Sequence, residues 1–252
     1  MSDLQDKVLI VTGASRGIGA AAARLFAVKG ASVVLAARDE QGLERVASEI
    51  SARGDDALVV PTDVSDAAAV EHLVKTAVDQ YGRLDGAFNN AGQGHRPTPL
   101  AELAPVEFEA NLAANLRSVF LCLRAELTAM GSGGAIVNMS SSAGLSGAPG
   151  MAAYSAAKHG VIGLTETAAL DYGPKGIRVN AVAPGPILTE AGIGAAPAEV
   201  QEQVAQRLPL QRLGTPNEVA EVASWLLSDS SSFVNGTTIS IDGGKLAGMA
   251  AN

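Results

Sequence analysis

From Lys7 to Gly30 the chain reads KVLIVTGASRGIGAAAARLFAVKG, and no other stretch constrains the fold as tightly. An apolar, β-rich run at residues 8–11 passes through a glycine-rich turn directly into an Ala-rich helix. In such a unit Gly13 permits the tight turn, Gly17 lets the backbone approach a pyrophosphate, and Gly19 lets the helix pack against the strand. The spacing is Gly-x-x-x-Gly-x-Gly, not the commoner Gly-x-Gly-x-x-Gly. Against the plainer alternative of a glycine-rich loop stands its place, after a buried-type strand and before a long helix.

The alternation continues along the chain. Strand-like runs lie near residues 32–36, 57–60, 86–88, 135–138, 178–182 and 238–241, with helical stretches between them, among them 40–51, 67–81 and 218–227. Continuous apolar strands alternating with helices predict an α/β fold with a parallel sheet covered on both faces. Right-handed crossovers make that sheet doubly wound. A length of 252 residues, with no repeat and no linker-like stretch, points to a single domain over 1–252. The irregular part is residues 184–214, which open on Pro184-Gly185-Pro186 and contain one short helical pattern. Insertions at the C-terminal edge of an open sheet lie by the ligand crevice, so this segment reads as a substrate lid, with an ordinary long loop as the alternative.

Composition narrows the function. With 47% hydrophobic but only 4% aromatic residues, the core is built from Ala, Val, Leu and Ile. The net charge is −8, 18 basic against 26 acidic residues, and no basic patch stands out, which argues against nucleic acid or an anionic membrane as partner. Cys122 is the only cysteine, so no intramolecular disulfide forms; among the apolar residues of SVFLCLRAEL it reads as a small buried hydrophobe. The N-terminal MSDLQD lacks the positive region of a signal peptide, and no apolar run approaches the roughly 18 residues of a membrane span. The expectation is a soluble cytoplasmic protein without a metal site.

Tyr154 and Lys158 lie four apart in a helical stretch, on one face and one turn apart. A free phenol, with a pKa near ~10, is a poor acid or base at neutral pH. A cation about 4 Å away is worth on the order of 4 kcal/mol at an effective dielectric of 20, or roughly three pK units in favour of the phenolate. The pair can therefore make a general acid/base that works near neutrality, although a surface Tyr/Lys pair on an amphipathic helix has the same spacing.

Together TGASRGIG at 12–19, NNAG at 89–92 and YSAAK at 154–158, with a serine thirteen residues before the tyrosine, resemble the short-chain dehydrogenase/reductase family. The resemblance runs from Lys7 to about Gly244. It implies a Rossmann-type sheet of seven parallel strands in the order 3-2-1-4-5-6-7. It also implies a catalytic tetrad of Asn115, Ser141, Tyr154 and Lys158, with hydride passing between a nicotinamide and a carbonyl carbon. In that scheme Tyr154 transfers the proton and Ser141 polarises the oxygen. Lys158 lowers the tyrosine pKa and binds the nicotinamide ribose, and Asn115 holds a water that links the lysine to solvent. Ser140 and Ser142 compete with Ser141 on composition, and Asn111 competes with Asn115; spacing selects the named pair. The cofactor contacts implied are Gly13, Ser15, Arg16, Gly17, Ile18, Gly19, Arg38, Asp63, Val64, Asn90, Ala91, Gly92, Tyr154, Lys158, Pro184, Gly185, Ile187 and Thr189. Asp63 matches an adenine contact, but it also reads as a plain helix cap near Ser65 and Asp66.

At the end of the second strand, SVVLAARDE, relatives that prefer NAD carry an acidic residue for the ribose hydroxyls. Here that position is Ala37, followed by Arg38, and Arg16 points to the same corner. Two guanidiniums suit a 2′-phosphate, so NADP(H) is the preferred cofactor; NAD(H) enters if the register shifts to Asp39 or Glu40. The substrate expected is a small ketone or secondary alcohol. A 3-oxoacyl-[acyl-carrier-protein] reductase is the alternative, although the segment beside the expected docking area, 121–134, offers only Arg124, offset by Glu126. A catalytically silent NADP(H)-sensing module would have lost the Tyr/Lys pair. The family commonly forms homotetramers, and the helices carrying residues 112–127 and following Met151, with the apolar tail KLAGMAAN, are the candidate interfaces.

Overall fold

A computed structural model describes residues 3–94 and 96–248. Seven strands, β1 (Val8–Thr12), β2 (Ser32–Ala37), β3 (Ala57–Pro61), β4 (Gly86–Asn89), β5 (Gly134–Met139), β6 (Ile177–Pro184) and β7 (Thr238–Ile241), form one sheet. Every pairing is parallel, and the order is β3-β2-β1-β4-β5-β6-β7. The helices are α1 (Gly17–Val28), α2 (Glu40–Ser51), α3 (Ala67–Tyr81), α4 (Pro105–Leu112), α5 (Ser118–Ala129), α6 (Ala152–Tyr172), α7 (Ala198–Gln206) and α8 (Pro216–Leu227). This is the doubly wound fold that the alternation implies.

Strand periodicity divides the core in two. Along β1, Leu9 and Val11 join α1, α2 and α8 on one face, while Ile10 joins α3, α5 and α6 on the other. In β2, Val33 and Leu35 face the first layer and Val34 and Ala36 the second. Each fully buried aliphatic side chain contributes roughly 1.5–3 kcal/mol by removal from water, which is why these central strands tolerate no polar face. Small residues allow close packing: Ala22, Ala23 and Ala27 of α1 are buried, and α1 packs against α8.

Helix starts follow local chemistry. Asp39 accepts from the Gly42 N–H at 3.1 Å and caps α2, Asp66 accepts from Ala68 at 2.9 Å and caps α3, and Thr215 with Glu218 forms a capping box on α8, Pro216 following the cap. Strand order reverses between β1 and β4, so a crevice opens beyond their C-terminal ends. Between α4 and α5 the helix widens into a π-turn at Ala113–Arg117, within the stretch 112–127 expected to lie on one helix. Within 184–214 lie a short 3-10 turn and α7, which buries none of its residues. Cys122 is buried, and burial pushes its thiol pKa well up. No helix among the described residues is long and apolar enough to cross a membrane.

Candidate active site

The crevice starts at the β1–α1 turn. Gly13 (φ 68°) and Gly17 (φ 56°) take left-handed conformations that L side chains rarely adopt. At Gly19 a Cβ would sit 2.6 Å from Asn90 Nδ2 and closer still to the Gly13 carbonyl oxygen. Arg16 precedes α1 in extended conformation and gives it no side-chain cap, so the first-turn N–H groups lack a side-chain acceptor. Such an end attracts an anion.

The turn is braced from β4. Asn90 Nδ2 donates to the Thr12 carbonyl at 2.9 Å, and the Asn90 and Ala91 N–H groups both donate to Thr12 Oγ1 at 3.0 Å. A cleft of about 800 Å³ runs from here past Ser15, Arg16, Gly17 and Ile18 to Ala37, Arg38, Asp39, Asp63 and Val64. Asp63 does not cap α3; it accepts from the Ser65 hydroxyl (2.7 Å) and N–H (2.9 Å) and lines the cleft. The Ser65 hydrogen bonds, with a smaller contribution from Arg38, hold its carboxyl below the usual pKa. Arg16 and Arg38 are exposed at this end.

A second cleft of about 340 Å³ adjoins the first through Ile18, Asn90, Gly92, Gln93 and Thr189. Its lining includes Asn115, Ser141, Tyr154 and Lys158, together with Pro184, Gly185, Ile187 and Thr189. Folding thus brings together residues from β4, the π-turn, β5, α6 and the segment after β6. Ser141 and Tyr154 share a side-chain hydrogen bond, and Ser141 Oγ also accepts from the Ala143 N–H at 3.1 Å. The neighbouring serines are engaged elsewhere: Ser140 Oγ donates to the Lys158 carbonyl (2.9 Å), and Ser142 Oγ accepts from Lys245 (3.1 Å).

Lys158 is 2% exposed, and its ammonium donates to the Met139 carbonyl at 2.8 Å. Burial lowers its pKa to about 8. The ammonium stands 5.6 Å from the Tyr154 ring centroid. Here the structure corrects the electrostatic expectation. The Tyr154 pKa is raised, because burial outweighs the Ser141 hydrogen bond that opposes it and the ammonium is turned to a carbonyl rather than to the phenol.

Asn115 sits in the π-turn, fully buried, and clamps the loop after β4. Its Oδ1 accepts from the Gln93 N–H (3.0 Å) and its Nδ2 donates to the Gln93 carbonyl (2.8 Å). Asn111 stands behind it, accepting from the same Nδ2 at 3.1 Å. The π-turn supplies this geometry by re-aiming one side chain inward, a common use of such turns. At Gly92 a Cβ would lie 2.6 Å from Asn115 Oδ1 and 3.4 Å from Lys158 Nζ, so glycine leaves the passage between them open.

Several participants were not legible in the chain. Thr12 opens the TGASRGIG motif with no role read for it, and Gln93 carries no motif. Arg45, on the exposed side of α2, donates to the Ser15 carbonyl at 3.1 Å and holds the glycine turn from outside. The residues fit a nicotinamide dinucleotide: a cradle that a Cβ at Gly13 or Gly19 would fill, an uncapped helix start, and a continuous cleft that ends at a paired Ser/Tyr. No group of His, Cys, Asp and Glu side chains suited to a metal ion occurs among the described residues.

Known proteins resemble this chain over nearly its whole length. A family model described as enoyl-(acyl carrier protein) reductase matches residues 13–245. An A-factor type gamma-butyrolactone 1′-reductase (1S-forming) from Streptomyces virginiae is 43% identical over 246 residues, covering 96% of each chain. A cis-4-hydroxycyclohexanecarboxylate dehydrogenase from Sinomonas cyclohexanicum is 43% identical over 244 residues, covering 96% of this chain and 97% of the relative. The crystal structure of levodione reductase superposes with a TM-score of 0.93 at 38% identity, covering 96% of this chain and 98% of the other.

Proposed function

From membership of the short-chain dehydrogenase/reductase family, an oxidoreductase acting on alcohols or ketones with NAD(P)(H), we propose that this chain is an NADP(H)-dependent enzyme for a small ketone or secondary alcohol, with Tyr154 as the general acid/base. One observation carries the reading: Asn115, Ser141, Tyr154 and Lys158 meet in a cleft continuous with the glycine turn. Two of the relatives named above carry six-membered-ring or lactone substrates in their names, which makes cyclic ketones the first class to try.

The nicotinamide, when bound, supplies or accepts the hydride at the carbon that carries the substrate oxygen. The rest falls to side chains. Ser141 and Tyr154 present two hydroxyls to that oxygen, and negative charge developing on it is stabilised by both. The Tyr154 hydroxyl gives its proton to the oxygen in reduction and takes one in oxidation. At neutral pH a phenol is protonated, the state that reduction requires. The ammonium of Lys158, 5.6 Å from the Tyr154 ring centroid, offsets the negative charge left on the phenol as its proton passes to the substrate oxygen. Asn115 keeps the Gln93 loop at the mouth of the passage. The first-turn N–H groups of α1 and the Gly13–Gly19 cradle would hold the pyrophosphate, and Arg16 and Arg38 would meet a 2′-phosphate. Asp39, the acid that would favour NAD, is engaged in capping α2.

Residues 184–214 act as a lid over the substrate, and they carry α7, none of whose residues is fully buried. Assembly as a homotetramer through α5 and α6 is supported by exposed Phe120 and Leu170. The last four residues of the tail assigned to such an interface, 249–252, lie outside the described residues. Light scattering at micromolar concentration tests the assembly, and a monomer rejects it. For a carrier-protein substrate the docking surface is poor, because Arg124 faces Glu71 at 3.9 Å. The deciding assay follows NADPH and NADH at 340 nm with cyclohexanone, 4-oxocyclohexanecarboxylate and an acetoacetyl group on acyl carrier protein. Turnover of the carrier-bound substrate alone would overturn the substrate class; turnover of none would overturn the enzyme reading.

A further inference from the structure

α5 turns an otherwise apolar side to the sheet, with Val119, Leu123 and Leu127 in the core. Among them stands Glu126, 1% exposed. Its Oε2 accepts from Asn89 Nδ2 at 2.9 Å, and the same Nδ2 reaches Asn138 Oδ1 at 3.1 Å. Asn138 Nδ2 donates to Thr165 Oγ1 at 3.0 Å. Asn89 and Asn138 are register partners on neighbouring strands, so the four side chains form a polar ribbon from α5 across β4 and β5 to α6.

The ribbon lies one residue below the chemistry. After Asn89 comes Asn90, which braces the glycine turn through Thr12. After Asn138 comes Met139, whose carbonyl receives the Lys158 ammonium, then Ser140, which binds the Lys158 carbonyl, then Ser141. A side-chain shift in the ribbon therefore moves both the cofactor turn and the lysine.

We propose that Glu126 is a positioning residue for the reaction, setting the ends of β4 and β5, and through them Lys158 and the glycine turn, by its hydrogen bond to Asn89. A leucine would fill the same space without desolvating a carboxyl, so packing alone does not call for Glu126. This inference rests on the oxidoreductase reading for its kinetic readouts, and on the ribbon alone for its stability readouts.

Burial lifts the Glu126 pKa to about 7, the Asn89 hydrogen bond pulling it the other way. The titratable groups around it are few. Cys122 lies one turn earlier on α5, and its thiol is pushed up by burial and by Glu126 itself. β4 and β5 bring Asn89 and Asn138, and α6 brings Thr165, with Lys158 further along at the Met139 carbonyl. The charges of α3 are exposed: Lys75 pairs with Asp79, and Glu71 faces Arg124 of α5. On α6, Glu166 and Asp171 are exposed as well. No charged group among the described residues compensates an ionised Glu126, so above its pKa the ribbon holds a buried charge without a counter-charge.

The test compares the parent with Glu126→Gln and Glu126→Leu from pH 5.5 to 8.5. Glu126→Gln, a neutral isostere, is expected to keep kcat within about threefold at pH 6 and to outlast the parent as the pH passes 7. Glu126→Leu is expected to fold with an undiminished thermal midpoint yet lose about tenfold or more in kcat, because small displacements of catalytic groups cost rate steeply. A Leu variant with parental kcat, or a Gln-to-parent ratio constant across the pH range, overturns the proposal. Should the Leu variant not fold, the Gln-to-parent ratio of kcat across the pH range decides alone, and a constant ratio overturns the proposal. If no ketone is turned over by the parent, the oxidoreductase reading fails by itself. NADPH affinity by fluorescence and the pH dependence of the thermal midpoint then test the ribbon, and identical pH dependence in parent and Glu126→Gln sinks it.

Discussion

Lys158→Met should make the protein more stable and inactive at once. The ammonium is 2% exposed and has one hydrogen bond, to Met139, with no carboxylate beside it. Burial lowers its pKa from 10.5 to about 8. For a base whose folded pKa lies below its unfolded one, the unfolded chain binds more protons between the two values. Stability therefore rises with pH from about 8 to 10.5, and the full penalty is carried below pH 8. A gap of this size corresponds to about 3 kcal/mol. Methionine removes the charge in a side chain of similar length, but it strands the Met139 carbonyl, which costs about 1–2 kcal/mol. The net gain at pH 6.5 is about 1–2 kcal/mol, some 2–4 °C per kcal/mol in a chain of this size. By pH 9.5 the parent recovers about 2 kcal/mol as the amine sheds its proton, and the advantage vanishes. Urea unfolding of both proteins at pH 6.5 and 9.5, without cofactor, measures the difference. A variant less stable than the parent at pH 6.5, or a difference independent of pH, would show that the buried ammonium does not carry this strain.

Tyr154→Phe keeps the ring and removes the proton; turnover should fall by at least ~100-fold with NADPH affinity nearly unchanged, and near-normal turnover would refute the acid/base assignment. Charge-assisted bonds contribute about 1.5–3 kcal/mol each. Discounted for the exposure of Arg16 and Arg38, the two predict about a 100-fold preference for NADPH over NADH in kcat/KM. Ala37→Asp with Arg38→Leu should invert that preference, and a parent that uses NADH equally well rejects the register. Gly19→Ala puts a Cβ against the Gly13 carbonyl and Asn90, so NADPH binding by fluorescence titration should weaken at least about tenfold while the far-ultraviolet spectrum stays folded.

Local pattern carried much of the fold. The alternation of apolar strands with helices, the glycine turn at 13–19 and the Tyr154/Lys158 spacing are short-range features, and each imposes its structure within a few residues. The sheet order and the site candidates came from motif resemblance. Strand ends drifted by a residue or two, as at Asn89 and Met139, because a strand's end is set by its neighbour's register and not by its own composition.

Whatever depends on two distant segments was decided by the tertiary structure. The π-turn that aims Asn115 at Gln93 has no local signature, since the extra residue per turn is stabilised by the loop it clamps. The choice between Asp63 and Asp66 as the cap of α3 rests on which carboxylate faces the first-turn N–H groups. In the chain, Glu126 reads only as an offset to Arg124; in the fold it is buried in a ribbon that runs to Thr165 through Asn138, the residue before the Met139 carbonyl that holds Lys158. The Tyr154 pKa shows the difference most directly. Spacing put a cation near a phenol and fixed the identity of the pair. The sign of the shift depends on how deeply both groups are buried and on which oxygen the ammonium chooses, and the chain alone does not contain either quantity.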